Sequence, residues 1–68
     1  MQRDKLIGKI AERGYSQRKL AETIGISQGA MYQKINEIEG RCFNVIEAQK
    51  IKEVLSLDDL TASEIFLH

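Results

Sequence analysis

A chain of 68 residues, 43% apolar, with ten Lys and Arg against ten Asp and Glu and no proline to interrupt helices, is one small folded domain. Its single cysteine, Cys42, excludes an intrachain disulfide framework and fits a reducing, cytoplasmic setting. No apolar run approaches the roughly 20 residues that span a bilayer, and the alternating charges of the amino end do not read as a targeting peptide, so no membrane role is expected.

The zero net charge hides a polarity. All ten cations lie within residues 1–52, where six acids leave plus four, whereas residues 53–68 carry Glu53, Asp58, Asp59 and Glu64 and no Lys or Arg. One face can then approach phosphates while the other turns away or meets a partner. So short a chain buries only a modest fraction of its surface, which makes dimerisation a physical expectation.

In chain order, Leu6, Ile7, Ile10 and Ala11 recur at helical spacing between Asp4 and Arg13, and Gly14 ends that helix. Ser16 is placed to cap a second helix whose inward stripe is Leu20, Ala21 and Ile24. Gly25 then allows a positive φ and a sharp exit, and Ile26 plugs the corner. Ser27 caps a third helix with Ala30, Met31 and Ile35 inward and Lys34 snorkelling at the boundary. Residues 36–44 read as a surface loop. Asn44 and Glu47 form a capping box opening a fourth helix with Ile46, Ile51, Val54 and Leu55 as its stripe. Thr61 and Glu64 form another, with Leu60 and Ile65 at staple spacing, which predicts a short helix over 62–67. The expected fold class is all-α, with four to five short helices in a single domain.

Residues 17–36 have the layout of a helix-turn-helix, whose second helix enters the DNA major groove. Its outer face would carry Gln28, Gly29, Tyr32 and Gln33. A glutamine amide can pair with adenine N6 and N7, Gly29 allows close backbone approach, and Tyr32 can stack on sugar, touch a thymine methyl or donate to phosphate. Gln17, at a helix amino end, favours a phosphate oxygen, and Arg18, Lys19, Arg13, Arg41 and Lys34 are candidate ionic contacts. Each of these side chains also has an ordinary reading as solvated surface. Cys42, beside Phe43, reads as a small buried hydrophobe or a neutral loop residue.

Enzymatic chemistry is not expected. The only histidine, His68, is the last residue, which leaves the serines without a His/Asp partnership. One Cys and one His cannot supply a zinc site, and Asp58 with Asp59 is too brief for a calcium loop, so neither metal nor cofactor is expected.

From Leu6 to Leu57 the chain resembles the lambda-repressor-like regulators of phages and bacteria, most specifically through Gln17, Leu20, Ala21, Ile24, Gly25, Ile26, Ser27 and Met31, then Lys34, Ile35 and Asn36. The resemblance implies a compact five-helix domain, Gln17 on phosphate, Ala21 and Gly25 setting the helix crossing and turn, and Gln28, Gly29 and Gln33 reading bases. With no large carboxy-terminal domain, the chain is most similar to the small Cro-type phage or prophage repressors. A homodimer on a palindromic double-stranded operator, blocking transcription, is the implied function. Dimer contacts are expected from Val54, Leu57, Leu60, Phe66 and Leu67. The competing reading is a protein-interaction module of the same fold, an antirepressor or modulator pairing with another phage regulator. Ile38, Leu60, Phe66 and Leu67 would then matter more than Gln28 and Gln33.

Overall fold

Local capping sets most of the helix boundaries seen in a computed structural model, which describes residues 1–67; His68 lies outside them. Five α-helices and one 3-10 turn make up the described chain, and no strand occurs among these residues: α1 (Arg3–Glu12), α2 (Gln17–Ile24), α3 (Gln28–Ile35), the turn Ile38–Gly40, α4 (Val45–Val54) and α5 (Asp59–Phe66). The all-α expectation holds.

Ser16 Oγ accepts from the Lys19 N–H and Ser27 Oγ from the Ala30 N–H, each at 3.0 Å, satisfying donors that a helix start leaves orphaned. Gly25 takes φ 86°, a left-handed conformation, and the Ala21 carbonyl accepts from the N–H groups of both Gly25 and Ile26. That double acceptance turns the chain out of α2 within two residues. Ile26 lies half-buried against the core, as its corner position predicts.

α1 contributes Leu6 and Ile10 to the core, α2 contributes Leu20, Ala21 and Ile24, and α3 contributes Met31 and Ile35; Ile51, Leu55, Leu57 and Ile65 close it from below. α2 packs against both α3 and α4, while α1 lies on α2 and α5. The Gln2 N–H donates to the Ile65 carbonyl at 2.8 Å, and Lys5 pairs with Glu64, tying the two ends of the described chain together.

Several expectations change. Ala11 is exposed, and Ile46, placed on the inward stripe of α4, is 65% exposed. Glu47 takes the inward position, because its carboxylate meets a cation from α3. The last helix begins at residue 59: Asp58 Oδ1 accepts from the Thr61 N–H at 2.6 Å and is the cap that Thr61 was expected to be. The backbone and side-chain hydrogen bonds from Thr61 hold the Asp58 carboxyl below its ordinary range. With the cap at 58, Leu57 drops into the core at 7% exposure and is not offered to a partner. Phe66 is half-buried, set edge-to-face on Phe43 with ring centroids 6.3 Å apart, and Val54 also packs on the core. Of the five expected dimer contacts, Leu60 and Leu67 remain exposed.

The surface area of 4313 Å² matches the roughly 4300 Å² expected of a folded monomer of this mass. No buried side-chain polar atom among the described residues lacks a hydrogen-bond partner.

Candidate nucleic-acid interface

α3 is held in place from three directions, and what it leaves outward is polar. Its start is capped by Ser27. At its end, Asn36 Nδ2 donates to the Tyr32 carbonyl at 2.9 Å while Asn36 Oδ1 accepts from Arg3 Nε at 2.8 Å, linking α3 to α1. On its flank, Lys34 Nζ donates to both carboxylate oxygens of Glu47, at 2.6 and 2.7 Å, linking it to α4. Glu47 Oε1 also accepts from the Asn44 N–H, and Asn44 Oδ1 accepts from the Glu47 N–H, completing the capping box read from the sequence.

Burial alone raises the Glu47 pKa. The Lys34 and Asn44 hydrogen bonds, with the charges of Lys34 and Lys50, outweigh it and hold the carboxyl below its ordinary value. Lys34 is therefore an internal strut between α3 and α4. Its ammonium is committed to a carboxylate that is 9% exposed.

With Met31 and Ile35 buried, Gln28, Gly29 and Tyr32 are exposed along one side of α3, the tyrosine at 58%. Gln28 and Tyr32 are four residues apart and so are neighbours on the helix surface. Neither side chain has a hydrogen-bond partner among the described residues. Gln33 is half-buried, and its Oε1 accepts from Arg41 Nη1 at 2.9 Å. Arg41 thus stands beside the outward side of α3, where the sequence suggests for it only a general phosphate contact.

At the start of α2, Gln17 is half-buried and Arg18 and Lys19 are exposed. Arg18 lies 3.6 Å from Glu22, an exposed i,i+4 pair that is weak and exchangeable. Lys19 and Arg13 have no carboxylate within 4.0 Å among the described residues, and both are exposed. Lys50, which sequence reasoning left aside, is a third cation of this kind; its Nζ lies 3.5 Å from the Ile24 carbonyl at the end of α2. No local signal marks Lys50, because the packing of α4 on α2 brings it there. Cys42 is exposed, not buried.

Among the described residues, no helix is long and apolar enough to cross a membrane, and no group of three His, Cys, Asp or Glu side chains is placed to hold a metal. No family model, curated protein or solved structure matches this chain.

Proposed function

We propose that this chain is a sequence-specific double-stranded DNA-binding transcriptional regulator of the small Cro type, acting as a homodimer on a near-palindromic operator. The observation that carries the reading is the outer side of α3. It holds amide, hydroxyl and bare-backbone positions free of internal partners, on a helix braced at both ends and along its flank. A groove-reading helix needs that combination, since base-edge discrimination depends on donors and acceptors held in register. Arg18, Lys19 and Arg13, around the start of α2, supply sequence-independent attraction to phosphate, with Gln17 at the helix amino end.

The size of the protein supports two copies. Half-sites one helical turn apart are separated by about 34 Å, and the longest Cα extent of one copy is 27 Å. A single copy presents one such helix, so two copies side by side are required to engage successive major grooves on one duplex face.

Selection of bound duplexes from a random pool, with sedimentation to count subunits, tests the proposal. Gln28→Ala is expected to alter the preferred base at one position of each half-site. Arg18→Ala is expected to weaken every duplex alike and to lower the salt slope by about one. Equal loss on all duplexes with Gln28→Ala would overturn the assignment of the reading face.

Gly29 separates contact from stability. A Cβ built there meets nothing within 4 Å, so Gly29→Ala carries no steric penalty in the free protein. It is expected to stabilise the fold by about 0.5–1 kcal/mol through helix propensity while weakening DNA binding, because a methyl group holds the helix away from the groove. Thermal melts beside titrations would show it, and unchanged affinity would remove Gly29 from the interface.

A second reading has one observation behind it. A shallow apolar groove runs between α4 and α5, lined in part by Val45, Ala48, Phe66 and Leu67, and the first and last of these are largely exposed. A protein-interaction module would use that groove, and the purified chain would then shift no duplex specifically.

A further inference from the structure

A hydrogen bond from Arg41 Nη1 engages the Gln33 side chain near the end of α3. A guanidinium has donors only, so the group it meets on the Gln33 amide is the carbonyl oxygen, whichever way the amide would otherwise turn. The Gln33 Nε2 group has no protein acceptor among the described residues, and no buried side-chain nitrogen there lacks a partner, so this group faces solvent. What Gln33 offers outward is therefore a donor.

The loop that carries Arg41 has an unusual backbone. Glu37 and Glu39 take φ of 51° and 55°, conformations that L side chains rarely adopt, and Gly40 takes 77°. With these three left-handed residues flanking Ile38, the chain turns back on α3, and residue 41 reaches residue 33. Two residues further on, Phe43 anchors the strap by packing on Phe66 and the core. Glu39 lies at 4.0 Å from Arg41 Nη2, an exposed contact at the outer limit of an ion pair, and leaves the guanidinium half-exposed.

We infer that Arg41 is a specificity-determining residue, which by occupying the Gln33 carbonyl turns the end of the reading face into a donor-only surface selective for guanine. The inference rests on the DNA-binding reading above. In the major groove guanine shows two adjacent acceptors, N7 and O6; adenine pairs its N7 with an N6 donor, cytosine shows only a donor, and thymine shows one acceptor beside a methyl. A free glutamine amide matches adenine through both its groups. With its oxygen engaged, the same amide and the adjoining guanidinium match guanine and oppose the N6 amino group of adenine.

The test is duplex selection from a randomised pool with the wild-type chain, Arg41→Met and Gln33→Ala. The wild type is expected to enrich guanine at one position of each half-site. Arg41→Met is expected to leave the other positions intact and move that one towards adenine, changing the guanine-to-adenine ratio by about tenfold, the scale of one good side-chain-to-base contact. Gln33→Ala is expected to erase the preference there. Retention of guanine by Arg41→Met, or a uniform loss over all duplexes, would overturn the inference while leaving the DNA-binding proposal standing. A wild-type pool without any enrichment would overturn that proposal, and this inference with it. Without DNA, Arg41→Met is expected to displace the side-chain amide resonances of Gln33 in an otherwise unchanged NMR spectrum; unmoved resonances would show that the pair does not form in solution.

Discussion

Glu47→Ala is expected to destabilise the protein by about 2–3 kcal/mol, less than the roughly 3–5 kcal/mol that breaking a fully buried ion pair costs, because Lys34 keeps some solvent access. For a domain of this size that is a fall of roughly 10–20 °C in the unfolding midpoint. The substitution strands the Lys34 ammonium without an anion and removes half of the capping box that starts α4. Lys34→Met combined with Glu47→Leu is expected to recover much of the loss, because an apolar pair incurs no desolvation of charge. Circular-dichroism melts of the single and double variants check this. A double variant as unstable as Glu47→Ala would mean that the ion pair is not the cause.

The same pair makes stability depend on pH. The folded-state pKa of Glu47 lies below its ordinary value of 4.5, so in acid the unfolded chain binds more protons than the folded one at this site. The contribution is fully present above that value and is lost as pH falls through the folded pKa. Denaturant midpoints from pH 7 downwards are expected to fall more steeply for the wild type than for Glu47→Gln. Asp58, also lowered, leaves a residual slope of the same sign in both proteins. Superimposable profiles would remove Glu47 from the acid response.

Leu20→Ala has the other large expected effect. Leu20 is 0% exposed on α2, the helix packed against both α3 and α4. Removing its side chain leaves a cavity there, costing about 2–5 kcal/mol. A domain of this length has a total stability of only about 3–10 kcal/mol, so the substitution removes a large share of it and lowers the unfolding midpoint. On the DNA-binding proposal, affinity is expected to fall only in proportion to the folded fraction, since Leu20 is buried in the core. Leu60→Ala, at a position 70% exposed, is the matched control and is expected to change stability by less than about 0.5 kcal/mol. Equal melts for the two variants would contradict the core assignment.

The features legible in the sequence are those decided within three or four residues. The caps at Ser16 and Ser27, the left-handed exit at Gly25 and the Asn44–Glu47 box all depend on a side chain and a backbone group of the same turn. The outward set Gln28, Gly29 and Tyr32 was legible too, because Met31 and Ile35 leave one side of a short helix to solvent. The start of α5 was harder: Asp58 and Thr61 are both competent caps. Choosing between them required the knowledge that Leu57 is needed in the core.

Beyond that range the chain's own pattern misleads. Apolar spacing put Ile46 inward on α4, yet the buried line runs through Glu47, Ile51 and Leu55. A carboxylate is tolerated there only because Lys34, 13 residues earlier, reaches it from another helix. The sequence shows Gln33 with a free amide, whereas the strap after α3 returns Arg41 to its carbonyl oxygen. The sequence by itself determined the presence of the helices, the caps of α2, α3 and α4, the sharp turn and the polar character of the α3 face, because hydrogen bonding and periodicity act over one or two turns. Tertiary structure alone decided that Lys34 is a strut, that Leu57 is core and that Arg41 governs the Gln33 amide. Each of those outcomes depends on a partner brought close by packing.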